Sequence, residues 1–194
     1  MRIQIAQSAG KLFKHSKKML FDPTGIATFT ELDLIYQTNG KKEWQSCYHY
    51  PSLGLGFRYL NLGEPESILG NGFGLIPYID LPVKKYKNSS FRFQIGCGLS
   101  YLTKTYHIKE LPQQTAIGSH LNNITNFQFR YQYNISESGS VSGGISLTHL
   151  SNGAFSAPNL GYNFVSAIIC YSYALNKLQF QPDTSAYIVN CKNA

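Results

Sequence analysis

The sequence predicts an all-β fold, an eight-stranded antiparallel up-and-down transmembrane β-barrel. Three observations carry that prediction. Apolar and polar residues alternate with period two through segment after segment, and successive side chains of a strand point to opposite faces. The lysines fall outside those segments, whereas a strand wall facing water usually carries them. Charged residues make up only 14% of the chain, aromatics another 14%, and glycines number 17, a balance that suits strands better than helices. Mean hydropathy is mildly negative, and no stretch approaches the ~18 consecutive apolar residues of a membrane helix. A crossing would therefore be made by strands.

The first segment, 3–8, is the shortest. The second, 26–37, carries Glu31 and Asp33 on its polar wall, and the third, 53–60, carries Arg58. The fourth, 72–81, carries Asp80. In the fifth, 90–101, Phe91, Phe93, Ile95, Cys97, Leu99 and Tyr101 alternate with Ser90, Arg92, Gln94, Gly96, Gly98 and Ser100. The sixth, 126–135, sets Phe127, Phe129, Tyr131, Tyr133 and Ile135 against Asn126, Gln128, Arg130, Gln132 and Asn134. The seventh, 141–151, and the eighth, 163–173, follow the same rule. Most approach the ~9–11 residues with which a tilted strand spans a bilayer. No helix signal interrupts them.

Alternation alone does not say which wall faces out, and a soluble lipocalin-like barrel would turn the apolar wall inward around a ligand. Lysine placement favours the membrane. Lys11, Lys14, Lys17, Lys18, Lys41, Lys42, Lys84, Lys85, Lys87, Lys104 and Lys109 all lie between segments. The polar wall instead offers arginines and carboxylates among Gly and Gln, the makings of a compact paired interior. Phe and Tyr near segment ends resemble interfacial girdles, and Trp44 suits an interfacial anchor. A tight polar turn at 136–140 lies on one side, with longer loops at 102–125 and 152–162 on the other; the connection 38–52 is long for a turn on the short side. The barrel domain is expected over 1–173, with 174–194 a C-terminal tail or the start of a truncated segment. Met1-Arg2-Ile3-Gln4-Ile5 contains no signal peptide, so one has been removed or the gene product is truncated.

The net charge of +7 suits solvated loops first and phosphorylated lipid second, and no basic–aromatic motif of a nucleic-acid fold is present. Cys47, Cys97, Cys170 and Cys191 show no metal-binding or redox spacing and specify no pairing. His15, His49, His107 and His120 are scattered without ligand spacing, so no metal is assigned. Nothing specifies an oligomeric state. Gly54, Gly56, Gly96 and Gly98 read as inward glycines of a crowded barrel.

One strand breaks the pattern. The outer wall of the seventh segment reads Val141, Gly143, Ile145, Leu147, His149, Ser151. Two polar residues on a lipid-facing wall cost free energy unless they sit at the interface or are used. Positions two apart on a strand lie roughly 7 Å apart at Cα, a gap that an imidazole largely bridges, so a His base activating a Ser hydroxyl is reasonable. Asn163 opens the outer wall of the eighth segment, and an antiparallel return through the loop brings it beside this pair.

The run His149-Leu150-Ser151-Asn152-Gly153, followed by Pro158-Asn159-Leu160-Gly161, resembles the active-site segment of the lipid A 3-O-deacylase family, whose members also go under the name acyloxyacyl hydrolase. The likeness extends more weakly over about residues 2–173. It implies an outer-membrane barrel of a bacterium that removes an ester-linked acyl chain from lipid A in lipopolysaccharide, without a cofactor. By that likeness His149 is the general base and Ser151 the nucleophile. Asn152, with N–H groups near Gly153 and Ala154, serves the oxyanion, and Asn159 supports the site. Two positions depart from the family. Ala154 stands where the family has Gly. Asn163 stands where it has Glu, so a neutral amide replaces the carboxylate that orients the imidazole. A barrel with weakened or lost catalysis is the alternative that this second departure raises.

Overall fold

The computed structural model describes residues 1–175. Eight antiparallel strands close into a barrel in simple sequence order, with the last paired to the first. They are β1 (Arg2–Leu12), β2 (Ala27–Gln37), β3 (Ser52–Asn61), β4 (Asn71–Lys85), β5 (Ser89–Leu102), β6 (Leu121–Asn134), β7 (Gly139–Ser151) and β8 (Tyr162–Ala174). Of the tail expected at 174–194, Ala174 ends β8 and Leu175 follows it; the rest lies outside the described residues.

The apolar wall faces out. Ile5, Leu34, Phe57, Leu75, Leu99, Phe129, Leu147 and Ile169 are all exposed on the barrel exterior, the inverse of a soluble barrel that holds its ligand inside. Tyr36, Tyr131, Tyr133, Tyr171 and Tyr173 ring the end with short turns, and Tyr59 and Tyr101 mark the end with long loops, as interfacial aromatics do.

Four expectations need correction. Strands β1 and β4 outrun the alternating segments, so Lys11, Lys84 and Lys85 belong to strands. They sit at strand ends, where the ladder continues past the apolar belt, and β4 shifts register between Pro82 and Lys84. Strand β6 starts at Leu121, which places Asn123 and Thr125 on the wall instead of in a loop. Two short helical stretches occur in connections, α1 (Glu43–Cys47) and α2 (Glu66–Leu69). Helix α1 occupies the connection between β2 and β3 and accounts for its length.

The fourth correction concerns the interior, which is two layers and not one polar filling. Towards the turn end lies a charged network. Arg58 meets Glu31 at 3.1 Å, and Asp80 receives both Arg92 at 2.9 Å and Arg130 at 3.0 Å. Gln4 joins Asp33 to Arg130 through hydrogen bonds of 2.6 and 3.2 Å. Among the described residues the buried charges are Glu31, Asp33 and Asp80 against Arg58, Arg92 and Arg130, three of each sign. Towards the loop end, inward positions turn apolar. Leu12, Phe29, Leu60, Leu102, Ile124, Leu150 and Phe164 pack with Met19, Phe21 and Ile117 from the loops above. This plug backs the strands on which the polar outer-wall pair lies.

Candidate active site

The last two strands bring the outer-wall polar residues together through register alone. His149 lies directly across from Asn163 on β8 and from Thr125 on β6, and Ser151 lies across from Asn123. Opposed residues on one face of an antiparallel pair have Cβ atoms ~5 Å apart, so a hydrogen bond between His149 and Asn163 is the natural consequence. It is present: His149 Nδ1 is 2.7 Å from Asn163 Oδ1. Since Oδ1 can only accept, Nδ1 carries the proton, which leaves Nε2 of a neutral ring as the basic nitrogen.

The Ser151 hydroxyl faces the loop 152–161. It lies 3.2 Å from Oδ1 and 3.0 Å from Nδ2 of Asn159, and it accepts the Gly153 N–H at 3.2 Å. It makes no hydrogen bond to His149, although the sequence places the two as a pair. The side chains leave one face at alternate strand positions, and the loop amide holds the hydroxyl on its own side of the gap.

The other expected oxyanion groups sort by what already engages them. The Asn152 side chain is turned into the loops, donating to Ser119 Oγ at 3.0 Å and to the Ser156 carbonyl at 2.8 Å, while its Oδ1 accepts the Ala154 N–H at 2.9 Å. Its own N–H donates to Asn159 Oδ1 at 3.1 Å. Gly153 N–H and Asn159 Nδ2 are therefore the two donors directed at the Ser151 oxygen.

Backbone conformation explains the residue types. Gly153 has φ 66° and Ala154 φ 63°, so the chain turns through two consecutive left-handed residues just after Ser151. Ala154, where the resembling family has Gly, bears a Cβ in a conformation that disfavours it by roughly 1–2 kcal/mol. Ala154→Gly is expected to raise stability by about 1 kcal/mol. Thermal unfolding of the inserted barrel measures it, and a lower midpoint would show that the alanine is not strained. Gly161, at φ 75°, lies against the imidazole, where an added Cβ would come within 3.1 Å of His149 Cε1 and 2.9 Å of the Leu150 carbonyl.

The loop is sewn to its neighbour. Asn159 bridges Ile117, Gly161 N–H donates to the Ala116 carbonyl at 3.0 Å, and Ser156 Oγ donates to the Gly118 carbonyl at 2.8 Å. Beneath, Tyr162 is fully buried and its hydroxyl accepts Gln114 Nε2 at 2.6 Å.

Two features escaped the sequence reading. A polar strip continues across the wall beside the pair: Thr125 donates to Asn123 at 2.8 Å, and Asn123 Nδ2 lies 3.0 Å from Cys97 Sγ. The later start expected for β6 hid it. The second is His15, whose Nδ1 lies 3.1 Å from Asn163 Nδ2. It comes from the loop after β1, and no periodicity announces it.

A family model described as lipid A 3-O-deacylase (PagL) matches residues 30–172, which include both strands of the site. Among solved structures, the chain is similar to the crystal structure of the outer membrane enzyme PagL, with a TM-score of 0.57 and 16% identity over 86% of this chain and 97% of that one. It also matches the N-terminal β-barrel domain of Pseudomonas aeruginosa OprF, with a TM-score of 0.48 and 8% identity over 89% and 97% of the two chains. No curated protein matches it.

Proposed function

This chain belongs to the lipid A 3-O-deacylase (PagL) family and has its outer-membrane β-barrel fold, and from that premise we propose that it hydrolyses an ester-linked acyl chain of lipid A with Ser151 and His149. The observation that carries the reading is the 2.7 Å contact between His149 Nδ1 and Asn163 Oδ1, because it leaves Nε2 basic on the wall that bears Ser151.

The steps follow from that arrangement. Ser151 turns about χ1 from Asn159 towards His149, whose Nε2 takes the hydroxyl proton as Oγ bonds to the acyl carbonyl carbon. The carbonyl oxygen becomes an oxyanion and meets Gly153 N–H and Asn159 Nδ2. Asn163 Oδ1 holds the imidazolium by its Nδ1–H. The intermediate collapses, the ester C–O bond breaks, and the sugar oxygen leaves with the proton from Nε2. Water then repeats the sequence on the acyl-enzyme and releases the fatty acid. The acyl chain approaches along the lipid-facing wall, and the strip of Thr125 and Asn123 seats the polar end of the ester. The activity needs no cofactor.

An amide at 163 orients the ring but lends the imidazolium no opposing charge. Asn163→Glu is therefore expected to raise the deacylation rate by about tenfold or more, the equivalent of ~1.4 kcal/mol in barrier. The test is mass spectrometry of lipid A from cells producing the chain and this variant. Loss of one acyl mass in both, greater in the variant, supports the reading. Loss in the variant alone would assign the wild-type chain to the second reading, a barrel silenced by its neutral amide. Intact lipid A in both, with the barrel inserted, would remove the deacylase reading.

A further inference from the structure

We infer that His15 is a positioning residue that sets the direction of the Asn163 amide and, through it, the tautomer of His149. The inference deepens the deacylase reading and rests on it for its catalytic meaning. An amide at this position raises a problem that a carboxylate does not. A carboxylate presents oxygen whichever way it turns. An amide turned over would aim its NH₂ at His149 Nδ1, demand a lone pair there and force the proton onto Nε2, the nitrogen that has to act as base. Something has to choose between the two orientations.

The chain of contacts makes that choice in one direction. His15 has a backbone carbonyl oxygen near each ring nitrogen, Leu160 at 2.9 Å from Nε2 and Phe13 at 3.4 Å from Nδ1; the shorter contact with Leu160, whose oxygen can only accept, places the proton on Nε2. In the neutral ring Nδ1 is then an acceptor. It lies 3.1 Å from Asn163 Nδ2 and takes a hydrogen bond from the amide NH₂. With its nitrogen committed to His15, Asn163 has only its oxygen for His149, at 2.7 Å from Nδ1. Turning the amide over would require a proton on His15 Nδ1 and leave Nε2 of the neutral ring lone-pair to lone-pair with the Leu160 carbonyl. A fixed backbone oxygen thus breaks the degeneracy of the amide.

Backbone pairing delivers His15 to this place. The Phe13 N–H donates to the Asn163 carbonyl at 2.8 Å, extending the β1–β8 ladder past its last paired residues. That contact holds residue 13 at the level of Asn163 and lets the chain fold His15 over the amide. His15 lies ahead of the residues 30–172 that match the family model.

The experiment compares His15→Lys and His15→Gln in the wild-type and Asn163→Glu backgrounds. Each inserted variant is assayed for kcat and KM on lipid A in mixed micelles, and the imidazole ¹⁵N shifts of His149 are recorded. Lysine offers donors only and glutamine retains an acceptor. The expected result is a fall in kcat of roughly tenfold or more for His15→Lys with KM held, short of the ~10⁴ that a wholly wrong tautomer costs. His149 gains the Nε2–H form in the same variant. His15→Gln keeps most of the activity, and in the Asn163→Glu background His15→Lys loses far less. Equal losses in both backgrounds, with His149 still protonated on Nδ1, would overturn the inference and leave His15 a loop-building residue. Activity and tautomer both unmoved by His15→Lys would overturn it while the deacylase reading stands. A tautomer that shifts as expected in a chain with no activity in any background would uphold the positioning role and remove the deacylase reading.

Discussion

Ser151→Ala is expected to abolish acyl release, lowering the rate by on the order of 10⁴ or more, because in the proposed mechanism the residue supplies the atom that bonds to the acyl carbon. The hydroxyl has no understudy at equal distance. Thr125 shares the wall but lies across from His149 on β6 and donates to Asn123, while the inward neighbours Leu150 and Asn152 face away from the lipid. The substitution removes a half-buried hydroxyl; of its partners, Asn159 keeps the Asn152 N–H at 3.1 Å, and Gly153 is exposed, so its N–H can turn to water, and the barrel is expected to fold and insert as before. Fatty acid released from lipid A in micelles, measured beside heat-dependent gel migration as the check on insertion, decides it. Release at the wild-type rate by a folded Ser151→Ala barrel would take the nucleophile away from Ser151 and leave His149 acting on water alone.

The second large effect falls on stability. Asp80→Leu is expected to destabilise the barrel by about 3–5 kcal/mol, the usual cost of stranding a buried charge. One carboxylate oxygen of Asp80 receives Arg92 at 2.9 Å and Arg130 at 3.0 Å. Both guanidinium groups are almost wholly excluded from solvent, at 8% and 2% exposure, so neither can exchange the lost partner for bulk water. Arg130 keeps Gln94 and Gln4 as neutral acceptors, which softens the loss without restoring charge balance. Equilibrium unfolding in urea from lipid vesicles measures the difference. A change below about 1 kcal/mol would place the network in the class of exposed pairs and show the turn-end interior to be hydrated.

Strand number, order and facing were legible because one physical rule, the two-residue period of a strand, writes itself into every segment. The six buried charges could be put on the inner wall for the same reason. Legibility failed where that rule weakens. In β1 the run Ser8-Ala9-Gly10-Lys11 contrasts too little in polarity to show alternation, yet its backbone pairs with β8 as far as Leu12. The apolar plug was missed because Leu60, Leu102 and Leu150 stand on the inner wall as apolar residues, and period alone cannot tell a plugged end from a broken pattern. Helix α1 spans Glu43–Cys47, too short for a helical period to register. At the site, His149, Ser151 and Asn163 share a parity and are joined by register, so their proximity followed from counting. Asn159, Gly153 and His15 come from loops, where no period carries information. His15 reaches Asn163 across a separation of 148 residues, and only the closure of β1 against β8 brings them together.

The plugged interior has a kinetic consequence. With the core filled by Leu12, Phe29, Leu60, Leu150 and Phe164, the described interior offers Ser151 no bore, and the acyl chain of the proposed substrate comes to it along the outer wall. A deacylase working from that wall responds to how crowded its substrate is within a two-dimensional sheet, not to how much is present per volume of solution. Diluting lipid A with inert phospholipid at constant total amount slows such an enzyme, whereas adding more vesicles of the same composition leaves its turnover unchanged. An inhibitor's potency in turn scales with its partition into the leaflet, so two compounds of equal fit at Ser151 rank by hydrophobicity.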